Sequence, residues 1–425
     1  MKKQNNLIFG INPLLLGIIL FIAVRLLIWA QFDFPALFLT GDDSYYVSVA
    51  KSLKNLGTHV WIENDYYSLR APAYPFFLAT LLQLKIQINS LNIYIVQSVI
   101  LFTIYLVSYF IIKDASPKSS RIFFLLLCLS PFDAVYNGRA LAENLLTPLV
   151  LLSIVLLLFF HKKKFYGYVL PGIILGLLTL TKDSYLLLPL FIAAFMVFKK
   201  TNIKYIALFL IAYSCAIAPW VVRNATLPSD NFIGISKGIL WPNLWVGTWM
   251  RDDLLLSSAL SSGFIEQDQF ELFVEKHENK GSEQDFFREH TINNLVNKPL
   301  QVLDNWLYRI PKMWIGTRTD LFQMRFEKRS LYWYMSKIFF FGTNFVMISL
   351  FLAVLVIGII RKDRAAYLSS IFIIYILLIY MPFYNIETRY SQPAISVMLL
   401  YIAISGVFYK DIFKNTKIWL NSKIH

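Results

Sequence analysis

Two adjacent acids stand beside a pair of tyrosines in the stretch Thr40-Gly41-Asp42-Asp43-Ser44-Tyr45-Tyr46. A long apolar run, Leu7 to Ala30, leads into them. Carboxylates at the edge of a bilayer are costly to desolvate, so they are seldom idle there. Downstream lies Arg70-Ala71-Pro72-Ala73-Tyr74-Pro75, a rigid turn led by a cation. Asp133, Arg139, Glu143, Lys182, Asp183, Arg223 and Arg389 also fall at the ends of apolar runs. A carboxylate set among such cations has the parts to activate a hydroxyl while the cations hold an anionic group. Each residue also has a plainer reading. The acid pair caps a helix, Arg70 snorkels to an interface, and Glu143 pairs with Arg139 four residues earlier. Lys182 with Asp183 caps a turn, and Arg389 pairs within its own loop. What favours chemistry is their joint occurrence on one predicted side.

The elements that must position these residues are membrane helices. The 425 residues are 57% hydrophobic and 16% aromatic, which excludes an ordinary soluble domain and predicts an all-α, polytopic membrane protein. Apolar runs place about ten spans, over 7–30, 90–112, 121–138, 143–160, 165–181, 184–199, 204–222, 334–360, 365–383 and 393–409. The first run has no cleavage signal and is expected to remain as an anchor. Alternate loops carry the basic clusters, from Lys2-Lys3 and Lys162-Lys163-Lys164 to Arg361-Lys362. The positive-inside rule therefore puts both termini in the cytoplasm and the acid-bearing loop outside. The net charge of +14 is then a topology signal, and nucleic-acid binding is not implied.

Three regions follow. Residues 1–222 form a transmembrane module whose first outer loop, 31–89, bears a surface helix with Tyr46, Val49, Ala50 and Leu53 on one face. Residues 223–333 form a polar, mainly helical outer subdomain, with helices expected around Phe264–Phe287. Its Trp241, Trp245 and Trp249 read as an interfacial belt or a stacking surface for a sugar. Residues 334–425 supply the last spans and a cytoplasmic tail. Cys128 and Cys215 both lie in apolar spans and read as core thiols. The five histidines lack ligand spacing, so a zinc site is not expected.

Five segments, in order, resemble the GT-C superfamily of membrane glycosyltransferases, in its protein-mannosyltransferase and aminoarabinose-transferase branch. They are Gly41-Asp42-Asp43-Ser44-Tyr45-Tyr46 followed by Ala50, the Arg70–Pro75 turn, Pro131-Phe132-Asp133 through Arg139 to Glu143, Pro219-Trp220-Val221-Val222-Arg223-Asn224, and Glu387-Thr388-Arg389-Tyr390-Ser391-Gln392-Pro393. One departure is Asp43, where close relatives often carry glutamate. The resemblance implies an inverting transfer of a sugar from a polyprenyl-phosphate donor to the hydroxyl of a glycan, lipid or protein at the outer face of a bacterial inner membrane. It implies Asp42 as the base, with Asp43 as runner-up or positioning partner. Arg70, Tyr74, Arg139, Glu143, Lys182, Arg223, Arg389 and Tyr390 are implied to bind donor phosphate or substrate. No cofactor is implied, although a divalent metal held by Asp42 and Glu143 is conceivable. A flippase for lipid-linked sugars is the alternative, but such transporters commonly show inverted repeats, and this sequence shows none. A non-catalytic scaffold would not need converging acids and cations.

Overall fold

The computed structural model describes residues 12–39, 41–61, 66–160, 166–227, 232–237, 240–249, 284–319, 321–383 and 387–405. They fall into two compact units. One draws on Met1–Ser236, Thr317–Ile373 and Gln392–His425, the other on Lys237–Gly316 and Ile374–Ser391.

The first unit is helical. Its elements are α1 (Pro13–Gln31), α2 (Phe34–Leu37), α3 (Asp42–Leu56), α4 (Ala73–Gln83), α5 (Ser90–Ala115), α6 (Pro117–Leu129), α7 (Pro131–Tyr136), α8 (Glu143–Val155), α9 (Tyr166–Thr181), α10 (Leu188–Phe198) and α11 (Ile203–Ala225). A two-stranded antiparallel ribbon, β1 (Val60–Trp61) with β2 (Tyr66–Tyr67), pairs Val60 with Tyr67 and Trp61 with Tyr66. Several long helices open on a polar cap. Asn12, Asn89 and Asn202 each accept a backbone N–H of the first turn. Those donors have no partner inside the helix, and lipid offers none, so the caps are worth about 0.5–2 kcal/mol each.

Five described helices are long and apolar enough to cross a bilayer: α1, α5, Glu143–Phe160, α11 and Leu331–Ile360. The chain is an all-α, multi-pass membrane protein. Large apolar side chains such as Leu15, Ile19, Ile22 and Leu26 on α1 are more than half exposed, as a lipid-facing surface requires. Shorter apolar helices, α4 and α9 among them, fill in between. The expected span 121–138 is two helices, α6 and α7. Ser130 breaks it in an extended conformation, φ −64° and ψ 119°, because the ring of Pro131 disfavours helical backbone in the residue before it.

The first loop is folded. Gly41 enters α3 at φ +60°, a left-handed conformation that suits glycine. That turn puts Asp42 and Asp43 in the first turn of α3, where the helix dipole favours anions. The apolar face of α3, with Tyr45, Tyr46, Val49 and Ala50, packs on Tyr74, Leu78 and Leu81 of α4.

The second unit contains α12 (Leu240–Trp249), α13 (Gln284–Asn297) and α14 (Pro299–Ile315). The last carbonyls of α12 are satisfied from α14. Asn305 donates to the Thr248 carbonyl, and Trp306 and Arg309 donate to that of Gly247. Trp245 and Trp249 are 1% and 3% exposed. They form the core of this unit, which corrects the reading of both as a belt or a sugar-stacking surface. Most of the stretch Phe264–Phe287 lies outside the described residues. Cys128 is buried as expected, but Cys215 is exposed on α11. In the first unit, α15 (Leu331–Ile360) is capped by Ser330 and residues 392–405 are helical; α16 (Arg364–Tyr380) begins in the first unit and its last turns belong to the second.

α9 and α11 touch at Gly172 and Gly176. A Cβ at Gly172 would stand 2.4 Å from the Phe209 carbonyl oxygen, and one at Gly176 would stand 2.4 Å from the Ala216 Cβ. Small residues at this spacing let helix backbones approach closely in a bilayer. Gly172→Ala is expected to cost about 1–3 kcal/mol, as overpacking does. A thermal unfolding scan of the purified protein in detergent checks it: an unchanged midpoint would show that the helices part without loss.

Candidate active site

The acid pair splits into two environments. Asp43 is fully buried, and Arg139 grips it with two bonds, Nε to Oδ2 at 2.6 Å and Nη2 to Oδ1 at 3.2 Å. Burial pushes the Asp43 carboxyl above its ordinary range, and the guanidinium pulls it back. Asp42, one residue earlier, points elsewhere. It accepts from Arg70 Nη2 at 2.8 Å, with side chains 20% and 39% exposed.

The loop carrying Arg139 is held from behind. Its carbonyl accepts from Gln97 Nε2 at 3.0 Å and Asn144 Nδ2 at 2.8 Å. The Tyr74 hydroxyl donates to Gln97 Oε1 at 2.8 Å. Tyr74 is fully buried, so it supports this wall and does not present a surface to substrate. Arg139 also donates to the Leu321 carbonyl at 3.3 Å.

A third ion pair joins Lys182 to Glu143, Nζ to Oε1 at 2.6 Å, with Glu143 3% exposed. Glu143 therefore meets a cation from the turn after α9, which corrects its reading as the helical partner of Arg139. Tyr46 lies in electrostatic reach of Arg70, Asp42, Glu143 and Lys182 together, so these four converge around one buried phenol. Burial drives the Tyr46 hydroxyl above its ordinary range, which keeps it protonated as a donor.

Arg223, in the last turn of α11, donates to the Ser68 hydroxyl and to Asn224 Oδ1. Its guanidinium lies over the Trp220 ring, 4.6 Å from the centroid. Ser68 is two residues from Arg70, so Arg223 approaches the cluster from the β2 side. His59 sits behind it, 2% exposed, edge-on to Trp220 at 5.0 Å. Its pKa is pushed down to about 3, by burial first and by Arg223 second.

Two further expected residues stand deeper in the bundle or at a turn. Asp133 is buried and accepts from Tyr105 at 2.7 Å and Gln392 at 2.6 Å. Asp183 accepts from the Ser236 hydroxyl. Arg389 and Tyr390 belong to the second unit. There Arg389 pairs with Glu387 at 2.5 Å and Tyr390 stacks on Tyr380 at 4.6 Å. Among the described residues no three His, Cys, Asp or Glu side chains cluster as metal ligands do. Gln97, Ser68 and Asn144 were not singled out by the sequence. Gln97 had a usable signal, since an amide in the middle of an apolar helix demands a partner.

No family model matches the chain, and no curated protein matches it in sequence. Solved structures do match. The archaeal oligosaccharyltransferase AglB from Archaeoglobus fulgidus, in complex with an inhibitory peptide and a dolichol-phosphate, aligns at TM-score 0.55 and 13% identity over 96% of this chain and 52% of that one. The chain shares the fold of the matched part of that membrane protein. The A. fulgidus enzyme tethered to an acceptor peptide with the NVT sequon gives 0.53 and 16%, over 94% and 50%. The chain thus spans about half the length of the oligosaccharyltransferase whose fold it shares.

The two acid–arginine pairs differ sharply in what they cost to open. The part-buried Asp42–Arg70 pair keeps contact with water and is the cheaper one to open, whereas removing one partner of a buried pair costs about 3–5 kcal/mol. Arg139→Ala is therefore expected to destabilise the fold by that amount. Adding Asp43→Asn should recover part of the loss, and a double-mutant cycle of unfolding free energies reads the coupling. His59 gives an acid limb. Its folded pKa lies below the ordinary 6.5, so its contribution is complete above 6.5 and is lost as pH falls from there towards 3. Between pH 7 and 5 the wild type should lose about 2 kcal/mol more stability than His59→Phe. Equal losses in unfolding scans at the two pH values would clear His59 of this role.

Proposed function

We propose that this protein is an inverting glycosyltransferase that moves a sugar from a polyprenyl-phosphate donor to an acceptor hydroxyl at the outer face of the membrane. One observation carries the reading. Among the described residues of the first unit, Asp42 is an ion-paired acid 20% exposed, while the paired Asp43 and Glu143 are 0% and 3% exposed. Asp42 thus combines a reachable carboxylate with a weakly held partner, amid cations. The shared fold and the five motif segments support the same reading.

In the proposed reaction the acceptor oxygen attacks the anomeric carbon as Asp42 takes its proton. The bond from that carbon to the phosphate oxygen breaks on the opposite side, and polyprenyl phosphate leaves as an anion. Arg70 and Arg223 are the fork donors suited to phosphate oxygens, and Lys182 adds a third positive charge. Arg70 exchanges Asp42 for the phosphate at less cost than a fully buried pair would, because both side chains keep some exposure. Asp43, Arg139, Tyr74 and Glu143 act as positioning residues. The scheme needs no resident metal. The proposed topology has ten spans and both termini in the cytoplasm, so the donor's prenyl chain reaches the site through the bilayer.

Asp42→Asn should insert, fold and bind donor, yet turn over about 10²–10⁴-fold more slowly, the usual effect of losing a general base. Arg223→Ala should weaken donor binding and leave acceptor binding largely intact. Transfer from a synthetic polyprenyl-phosphate sugar, with and without chelator, checks the scheme. A fully active Asp42→Asn enzyme removes the base, and a chelator-killed wild type replaces the metal-free route.

A further inference from the structure

α14 of the second unit is turned the wrong way round for a helix in water. Its buried face carries polar groups: Asn305 and Arg309 donate inward to the carbonyls of Thr248 and Gly247, at 3.1 Å and 2.9 Å. Leu300, Leu303 and Leu307 lie outward, 80%, 44% and 51% exposed. At about 100° per residue these leucines fall within about 60° of one another, on one flank. The other exposed flank carries Gln301, Asp304 and Lys312, and Lys312 stands about 180° from Leu303. On the preceding helix, α13, Ile292, Leu295 and Val296 are exposed as well. A helix with water on its outer side turns its apolar groups to the core. An outward apolar row marks a surface that meets lipid or another protein.

The bonds of α14 choose lipid. α16 is an apolar helix whose last turns, from Ile374, belong to the same unit. Ile374 and Leu378, one turn apart, are about half exposed, as a lipid-facing surface requires. Just beyond the end of α16, the Phe383 carbonyl accepts from Arg309 Nη1 at 3.2 Å. Further along the same segment, the Ser391 hydroxyl donates to the Met313 carbonyl at 2.7 Å. α14 is therefore tied to the chain at the level where α16 leaves the bilayer. Its charges show no bias towards anionic lipid. On α13, α14 and the turn between them, Arg288, Lys298 and Lys312 are matched by Asp285, Glu289 and Asp304.

We infer that α14 lies on the bilayer surface, with Leu300, Leu303 and Leu307 sunk into lipid and Gln301, Asp304 and Lys312 turned to water. Amphipathic helices bind membranes in this way, their apolar face about 5–10 Å into the boundary of headgroups and acyl chains. The partner is lipid of either headgroup charge, because the leucines supply the attraction and the exposed charges cancel. The turn Thr388–Ser391, which carries Arg389, hangs from α14 through Ser391. The bilayer thus sets the height of that turn. The inference stands whether or not the transferase reading does.

The test uses the full chain in phosphatidylcholine nanodiscs. Cys128 is buried and Cys215 exposed, so a Cys215→Ser background presents one introduced cysteine at a time to a nitroxide reagent. The labelled positions are Leu300→Cys, Leu303→Cys and Leu307→Cys on one flank, and Gln301→Cys, Asp304→Cys and Lys312→Cys on the other. All six are surface positions, so the fold should tolerate each change. Relaxation of the label by oxygen, which concentrates among acyl chains, is compared with relaxation by a soluble nickel chelate, which stays in water. The ratio of oxygen to nickel relaxation should be several-fold higher on the leucine flank than on the other. Doping the disc with phosphatidylglycerol should leave both ratios unchanged. Nickel reaching the two flanks equally would put the leucines in water and overturn the inference. Leucine-flank labels shielded from both reagents would show protein covering that face, from this chain or a second copy, and would overturn it too. A leucine-flank ratio that rises only when phosphatidylglycerol is present would overturn the claim that headgroup charge is immaterial.

Discussion

An ionised pair in a membrane protein must be either matched or near water, and the Asp43–Arg139 contact is the matched case. Asp43 has no exposed surface, and both its oxygens are taken by one guanidinium. Charge burial on this scale is tolerated only when geometry and further hydrogen bonds satisfy the remaining donors. The first unit supplies them. Gln97 and Asn144 fix the Arg139 backbone, Tyr74 fixes Gln97, and Leu321 takes a third guanidinium N–H. The contact therefore ties the first loop, α5, the start of α8 and the segment at Leu321 together.

That rigidity has a counterpart next door. While Asp43 is held by the clamp, its neighbour Asp42, in the same first turn of α3, pairs with the partly exposed Arg70. Adjacent positions on a helix point about 100° apart, so one turn can serve both anchorage and chemistry. The division of labour within the acid pair is thus a result of helix geometry, set by the left-handed entry at Gly41. Tyr46, one turn later, is buried within electrostatic reach of Asp42, Arg70, Glu143 and Lys182.

The set of charged residues was legible in the sequence because charge at the edge of an apolar run is expensive. The pairing was not. Asp43 and Arg139 are 96 residues apart, and Glu143 passes over the adjacent Arg139 for Lys182, 39 residues away. Local spacing favours the i,i+4 partner, but α8 turns Glu143 towards the end of α9. The break at Ser130 was visible in Pro131, yet continuous hydropathy across 121–138 masked it. Trp245 and Trp249 look like interfacial residues by spacing alone, and only the packing of α12 on α13 and α14 buries them. The support given by Gln97 and Ser68 depends on partners that no one-dimensional pattern names. Arg389 pairs within its own loop, as the plainer of its two sequence readings had it.

The bridge from Phe32 to Met324 joins residues about 290 positions apart. During synthesis at about 5–20 residues per second, the partner of the first helix's end emerges roughly 15–60 s after the helix itself. For that interval α1 and the first loop lack the segment 321–328 that pairs with the end of α1. A nascent chain that has passed Arg223 but has not reached Leu321 carries the acid pair and the arginine clamp, but lacks the carbonyl that takes the third guanidinium N–H. The order of translation thus makes the clamp on Asp43 complete only after three quarters of the chain has been made.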